Sequence, residues 1–317
     1  MSRARARGHV LHRVRGVPDL MRIVSLVPAA TEIAAALGLA DQLVAVTHDC
    51  DFPPDVRSLP RLTSSTIPAG STSREIDIAV RSAGERGEST FHLDATALRE
   101  ARPDVILGQT ICRVCAVTLD QLPSALARPP RVIPLDGEDL DGVLSDIRHV
   151  ADGLGIGERG RDVEDGLRAR LAAVADRVAG APPPAVAVLE WLDPPFNGGH
   201  WVPDQVKVAG GRDVLGRSGE RSRVVSWDEV ASARPDVLVA ALCGFGVRRA
   251  LDDLALVRAR PSWDRIPAVE HRRVYAADGS AYFSRPGPRL VDGVEILAAL
   301  FHPALFEAPD AAAAVAA

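Results

Sequence analysis

Five side chains that can bind a soft metal or carry redox chemistry lie just beyond predicted strands. They are His48, Cys50, Cys112, Cys115 and Cys243. Cys112 and Cys115 form a CxxC motif, whose thiolates can occupy neighbouring corners of a tetrahedral metal site or close a small disulfide ring. Together the five supply enough nitrogen and sulfur donors for zinc, for an iron-sulfur cluster, or for an axial bond to cobalt or haem iron.

These side chains could also have purely structural roles. The sequence contains a single CxxC, and the remaining donors are distant along the chain, so any metal site depends wholly on tertiary folding. Buried cysteines commonly behave as small apolar side chains. Asp49 could fix the tautomer of His48 and leave one ring nitrogen for a metal, whereas an isolated loop histidine is more often a surface group.

The elements that would position these residues alternate between strand and helix. A first strand begins near Met21, and further short apolar runs predict strands at residues 43–47, 104–109 and 131–135. Helical periodicity is found between them, for example over residues 140–154. This alternation predicts mostly parallel sheets with helices on both faces.

A long charged helix divides the chain. Apolar residues recur at helical spacing over residues 156–179, and Gly180 with the prolines at 182–184 ends the helix. Strand and helix alternate again after it, so we predict an α/β fold of two Rossmann-like lobes joined by one long helix. The predicted parts are a disordered extension (1–20), an N-terminal lobe (21–155), the connecting helix (156–181), a C-terminal lobe (182–308) and a flexible tail (309–317).

Composition excludes several classes of function. The 317 residues carry a formal net charge of −5, which offers no basic surface for nucleic acid. No apolar run is long enough for a transmembrane helix, and the common hydrolase, nucleotide-binding and metalloprotease motifs are missing. Residues 1–20 are arginine-rich without a continuous apolar stretch, which predicts a cytoplasmic protein or, as an alternative, a transit peptide.

Four phrases in order along the chain carry a resemblance to a known family. They are SLVPAATE (25–32), VAVTHDCDFPP (44–54), LDPPFNGGHWVPDQVKVAGG (192–211) and SRPGPRLVDGVEIL (284–297). The chain resembles the vitamin B12 and iron-siderophore periplasmic binding proteins, whose two α/β lobes are joined by one rigid helix. The resemblance implies a ligand in the cleft between the lobes, at the carboxyl ends of the strands.

The resemblance also implies which side chains face the ligand. These are His48, Asp49, Cys50, Gln109, Phe196, His200, Trp201, Tyr282, Phe283 and Arg285. Aromatic faces suit a corrin or another large flat ring, although each aromatic could instead pack in the core. Arg285 could pair with a polar group of the ligand or form a salt bridge between the lobes.

One departure concerns partners. Receptors of the family present a surface glutamate on each lobe to arginines of the membrane permease, and the matching positions here hold Thr96 and Ser284. Docking to an ABC permease is therefore doubtful from sequence, unless Glu100 or Glu32 takes over this role.

Three hypotheses follow, and the favoured one is not an enzyme. The first is a cytoplasmic small-molecule binding protein for cobalamin or a related corrinoid or metal chelate. The second is a cytoplasmic zinc or iron protein, or a metal-cofactor protein, that uses the cysteine and histidine cluster and could have a redox or enzymatic use. The third, ranked last, is the substrate-binding component of a B12 or iron ABC transporter.

Overall fold

The structure is a computed structural model that describes residues 21–110, 117, 122 and 128–317. In its N-terminal lobe, a two-stranded antiparallel ribbon is inserted between the first strands and helices of the main sheet and the later ones. The elements are β1 (Ile23–Ser25), α1 (Pro28–Ala36), β2 (Leu43–Ala45), β3 (Thr63–Ser65), α2 (Ser73–Glu85), β4 (Phe91–Leu93), α3 (Ala95–Ala101), β5 (Val105–Gln109), β6 (Arg131–Leu135) and α4 (Leu140–Gly153).

The connecting helix α5 (Gly157–Val178) leads into the C-terminal lobe. The elements of that lobe are β7 (Ala185–Leu192), β8 (Pro195–Asn197), α6 (Val202–Val208), β9 (Arg212–Asp213), α7 (Trp227–Ser232), β10 (Val237–Ala240), α8 (Val247–Val257), α9 (Pro267–Glu270), β11 (Val274–Ala277), α10 (Gly279–Tyr282), α11 (Leu290–Phe301) and β12 (Ala314–Ala316).

Each lobe is built on its own sheet. The N-terminal sheet has the order β2-β1-β5-β6 with all strands parallel. The C-terminal sheet has the order β12-β11-β10-β7-β8, with β9 beside β7, and is parallel except for β8 and β12. The predicted α/β fold with mostly parallel sheets is confirmed.

Burial explains why the central strands form where they do. Every residue of β1, β5 and β10 is buried. Parallel strands covered by helices on both faces need such continuous apolar runs. The carboxyl ends of these strands therefore emerge from an apolar core, which fixes the loops that follow them.

Helix α5 packs closely on α4 before it crosses to the other lobe. A Cβ at Gly160 would lie 2.4 Å from the Cβ of Ala151, so only glycine permits this approach. Farther along α5, Arg170 binds Asp292 at 2.5 Å and Glu295 at 2.7 Å on α11. The helix thus connects the lobes both covalently and by packing.

Two segments differ from the sequence expectation. Residues 309–317, expected to be a flexible tail, contain β12, which pairs antiparallel with β11. The ribbon of β3 and β4 with α2 between them was not predicted. Over the described ranges, we find no helix with the length and apolar character needed to cross a membrane.

Candidate functional site at the interlobe cleft

The loops at the carboxyl ends of the parallel strands hold most of the predicted ligand residues. In the N-terminal lobe, His48, Asp49 and Cys50 follow β2, and the buried Gln109 is the last residue of β5. In the C-terminal lobe, Phe196 lies in β8, His200 and Trp201 follow β8, and Cys243 follows β10. Tyr282, Phe283 and Arg285 lie beyond β11. Ligands of open α/β sheets bind at such strand ends, so the two sets define a candidate site.

His48 is held in one orientation by Thr63 of β3. The backbone N–H of His48 donates to the Thr63 hydroxyl oxygen at 3.1 Å, and ring atom Nδ1 lies 2.6 Å from the same oxygen. The other ring nitrogen, Nε2, is 3.4 Å from a carboxylate oxygen of Asp49. The ring centroid lies 5.7 Å from that of Phe91 on β4. The half-buried imidazole therefore points Nε2 away from the strand and has an aromatic neighbour.

Cys50 is a buried thiol in a polar contact network. Its Sγ lies 3.1 Å from the Thr31 hydroxyl and 3.0 Å from the Thr47 hydroxyl, and the residue is 1% exposed. Burial raises the pKa of this thiol above its ordinary value of 9.0. The group is therefore a neutral thiol at physiological pH in the metal-free protein.

The predicted metal cluster finds no support in the part of the chain that the structure describes. No group of three or more His, Cys, Asp or Glu side chains suited to a metal occurs there. Cys243 is half-buried after β10. Cys112 and Cys115 lie outside the described residues. The sequence shows that these cysteines follow strands, but it does not show whether their side chains point toward one another, and a shared metal site requires that they do.

A buried ionic cluster joins the two lobes beside the His48 loop. Glu32 of α1, whose side chain is 2% exposed, binds both Arg285 and Arg289 of the C-terminal lobe. Arg285 also binds the Asp51 carboxylate and, at 3.0 Å, the Asp49 carbonyl oxygen. Of the two roles open for Arg285, the structure shows the interlobe salt bridge. The burial of Glu32 also excludes it as a surface docking charge.

The cluster shifts the pKa of its members in opposite directions. Burial would lower the pKa of Arg285 and Arg289, but the carboxylates of Asp51 and Glu32 outweigh it and raise both. Partial burial would raise the pKa of Asp51, but the hydrogen bond and charge of Arg285 lower it. Asp51, Arg285 and Arg289 are therefore charged at neutral pH.

Arg289 also lies between two aromatic rings. Its guanidinium carbon is 4.4 Å from the Phe52 ring centroid and 5.7 Å from that of Tyr282. Tyr282 was predicted to face the ligand, and it is half-buried at the end of α10, the short helix that follows β11. Arg289 was missed from sequence, although the phrase SRPGPR contained it.

An aromatic wall lies on the C-terminal side of the cleft. The rings of Trp191, near the end of β7, and Phe245, after β10, are 5.9 Å apart. The guanidinium of Arg249 is 4.6 Å above Phe245. Phe196, a predicted ligand residue, is paired with Trp191 in the β7–β8 register. Phe245 was not predicted from the sequence.

Three other predicted residues have structural contacts instead. Trp201 and Phe283 are 7% and 3% exposed, and the Trp201 indole donates to the Phe283 carbonyl oxygen at 2.6 Å. His200 has a φ of 52° and stacks on Trp201 with centroids 5.4 Å apart. Burial, with the charge of Arg221, lowers the pKa of His200. The bond from Trp201 thus ties the segment before α6 to the residue that follows α10, and the side chains of Trp201 and Phe283 are almost fully covered.

A cavity of about 550 Å³ lies elsewhere, between α5, α11 and the C-terminal residues. Tyr282 lines it, together with Arg170, Phe306 and Asp310. The arginine is already bound to Asp292 and Glu295. This cavity contains neither the His48 loop nor the aromatic wall, so it is separate from the candidate site.

Comparison with known proteins decides the family. A family model described as "Periplasmic binding protein" matches residues 23–281. The chain belongs to the periplasmic binding protein family. Members are substrate-binding proteins and not enzymes, which agrees with the non-enzymatic prediction at the level of the family.

The sequence relatives of this periplasmic binding protein include a transporter lipoprotein and vitamin B12-binding proteins. An uncharacterized ABC transporter substrate-binding lipoprotein of Bacillus subtilis is 23% identical over 294 residues, covering 90% of this chain and 81% of the relative. A vitamin B12-binding protein of Vibrio cholerae is 24% identical over 289 residues, with 86% of each chain covered.

Solved structures have the same fold. The apo periplasmic heme-binding protein of Roseiflexus sp. RS-1 has a TM-score of 0.67 at 24% identity, covering 90% of this chain and 100% of that one. The periplasmic vitamin B12-binding protein of Vibrio cholerae has a TM-score of 0.63 at 22% identity, covering 89% and 97%. The resemblance stated from sequence is confirmed.

Two expectations need correction. The predicted cytoplasmic location is wrong, because proteins of this family are periplasmic or lipoprotein receptors that work outside the cytoplasm. That prediction relied on the composition of residues 1–20, on cysteines expected to be reduced, and on the absence of glutamate at positions 96 and 284. The doubt about an ABC permease also finds no support, because partnership with one is the norm of the family.

Proposed function

We propose that this chain is the extracytoplasmic receptor of an ABC importer and that it holds cobalamin or a related corrinoid in the interlobe cleft. The observation that supports this ligand class is the presence of aromatic groups on both lobes. His48 and Phe91 stand on one side, and Trp191 and Phe245 on the other. Large flat ligands gain contact area from such rings at small entropic cost.

The charges near the cleft favour a ligand without many carboxylates. Arg285 and Arg289 bind Glu32 and Asp51, and Arg249 binds Asp253 at 3.0 Å. These three guanidinium groups are therefore already neutralised by the protein. Cobalamin presents mainly amide groups at its rim, whereas haem presents two carboxylates that a receptor must balance. The described part of the cleft fits the amide-rich ring better.

Haem is the second candidate, and His48 is the observation that favours it. Its Nδ1 is fixed by Thr63, and Nε2 is the ring nitrogen left for an axial bond once Asp49 moves aside. The same nitrogen could bind cobalt in a cobalamin that has lost its upper ligand. His48 is thus the residue whose role differs most between ligands.

Calorimetry with a ligand panel tests this function. We expect cyanocobalamin to bind the full chain at about one equivalent with a Kd in the micromolar range or tighter, and haemin to bind more weakly. Absence of heat with cyanocobalamin, dicyanocobinamide and haemin would refute the proposal. Tight binding of haemin without binding of any corrinoid would support the receptor role but would show that the ligand is haem and not a corrinoid.

A His48→Ala variant separates coordination from ring contact. If Nε2 bonds the metal, the visible spectrum of the haemin or aquocobalamin complex shifts in the variant. If the imidazole only contacts the ring, the spectrum is unchanged and the affinity falls modestly. Asp49→Ala is the matched control, because it removes a neighbour of Nε2 without removing the nitrogen.

A further inference from the structure

Residues 66–90 form a strap between β3 and β4 that carries α2. Among the residues of α2 only Ser73 and Ala83 are buried, and the helix joins none of the hydrophobic clusters found in the described chain. At its base the strap is tied to its own lobe by the short β3–β4 pairing and by the bond from the Thr66 N–H to the Thr90 carbonyl oxygen at 2.8 Å. Little apolar packing therefore holds the strap down.

Ser71 and Ser73, which we call the tip of the strap, are hydrogen-bonded to the opposite lobe. The Ser73 hydroxyl donates to the buried carboxylate of Asp253 and lies 3.2 Å from Nη2 of Arg249. Nη2 of Arg249 also donates to the Ser71 carbonyl oxygen at 3.0 Å, and the Trp191 indole donates to the Ser73 carbonyl oxygen at 3.1 Å. We name Ser73, Arg249 and Asp253 the latch. Two of the residues that the strap tip contacts, Trp191 and Arg249, belong to the aromatic wall.

The other connections between the lobes are of a different kind. Leu140 and Val143 of α4 share one hydrophobic cluster with Val174 of α5 and with Val206 and Leu297 of the C-terminal lobe. The Glu32 cluster is also buried, and separating buried charges is costly. Movement of one whole lobe against the other would break all of these contacts at once.

From this contrast we propose that the strap is the gate of the ligand cleft, which opens locally while the lobes stay fixed, and that the latch sets its opening rate. The gate rests on the proposed function, because it presumes a ligand in the cleft. Segments with few apolar contacts open at the lowest free-energy cost, and such segments commonly act as lids. The base of the strap also adjoins the candidate site, since Thr63 and Phe91 both contact His48.

Hydrogen exchange of the ligand-free full chain tests the opening. Ser73→Ala removes the hydroxyl of the latch but keeps the carbonyl that Trp191 binds. Loss of the hydrogen bonds that this hydroxyl makes with Asp253 and Arg249 is expected to raise the exchange rate of the amides in residues 73–85 about tenfold. Ser82→Ala is the matched control on the same helix, because no hydrogen bond found in the described chain joins Ser82 to the opposite lobe. Equal rates in both variants, or strap amides as protected as those of β5, would overturn the gate.

Binding kinetics test whether the opening controls ligand exchange. With cyanocobalamin as the probe, Ser73→Ala should raise the association and dissociation rate constants together by about tenfold and leave Kd within about threefold. Unchanged rate constants in a variant whose strap exchanges faster would overturn the gating role. If neither cyanocobalamin nor haemin binds, the proposed function and the gate both fail, while the exchange data still decide whether the strap opens.

Discussion

Arg289 binds Glu32 through two hydrogen bonds, from Nε to Oε2 at 2.9 Å and from Nη2 to Oε1 at 2.5 Å. Glu32 lies in α1 of the N-terminal lobe, whereas Arg289 immediately precedes α11 of the C-terminal lobe. The bond therefore fixes the two lobes next to the loop that carries His48.

Removing the negative charge of this pair is expected to be strongly destabilising. Glu32→Gln leaves Arg285 and Arg289 buried without their shared carboxylate, so we expect a loss of about 3 to 5 kcal/mol in the free energy of unfolding. Urea unfolding followed by circular dichroism measures it. The exposed Glu100→Gln is the control and should change stability by less than about 0.5 kcal/mol. Equal effects of both substitutions would contradict a stabilising interlobe cluster.

The contribution of Asp51 has a defined pH window. Arg285 lowers the pKa of Asp51 below its ordinary value of 3.8. A carboxyl whose pKa is lowered by folding stabilises the protein above the unfolded pKa and loses that effect as pH falls through the folded value. The difference in Tm between wild type and Asp51→Asn should therefore be constant from about pH 7 to about pH 5 and shrink only near and below pH 4. A difference that already disappears near pH 6 would contradict this assignment.

The two described cysteines should differ in reactivity. In a Cys112→Ser, Cys115→Ser background, we expect a thiol reagent at pH 8 to label about one thiol, the half-buried Cys243, and about two after denaturation. Cys50 should resist because burial raises the pKa of its thiol. Mass spectrometry of labelled peptides identifies the site. Rapid native labelling of Cys50 would show that its loop is open in solution.

The C-terminal strand is expected to support the ligand loop after β11. The Ala313 carbonyl oxygen accepts from the Asp278 N–H at 2.8 Å, and the Ala317 N–H donates to the Val274 carbonyl oxygen at 2.9 Å. Deleting residues 313–317 removes these bonds and the rest of the ladder, which should cost about 2 to 4 kcal/mol in thermal or urea unfolding. Deleting Ala317 alone should cost about 1 kcal/mol or less. If both deletions are neutral, β12 contributes nothing to stability.

The sequence predicted the larger elements closely. The strand at residues 131–135 has the predicted bounds, and the helices predicted at 140–154 and 156–179 are found as α4 (Leu140–Gly153) and α5 (Gly157–Val178). Long segments with helical periodicity and runs of β-branched residues can be recognised as helices and strands from the local sequence alone. The strap was missed because β3 and β4 have three residues each, too few to show alternation. A signal for α2 was present in Thr72 and Glu75, which form a capping box.

The candidate site was harder to predict than the fold. The loops at the strand ends were located correctly. The exposure of each side chain in those loops depends on tertiary packing, which the residue type alone does not reveal. Trp201 and Phe283 are buried, whereas Phe245 and Arg289, which the sequence did not single out, each take part in a contact between a guanidinium group and an aromatic ring. Glu32 shows the same limit, because an acidic residue in an alanine-rich helix gives no hint of two arginines more than 250 positions away.

The ligand is expected to lie against the aromatic wall between the lobes, and a matched pair of variants gives the sharpest test of this position. Phe245 and Phe306 each contact one arginine, Arg249 at 4.6 Å and Arg177 at 4.5 Å, but only Phe245 belongs to the aromatic wall, whereas Phe306 lines the separate cavity. Equilibrium titration with cyanocobalamin should show Kd rising about tenfold or more in Phe245→Ala and unchanged in Phe306→Ala. Equal Kd values for both variants and wild type would place the ligand outside this cleft.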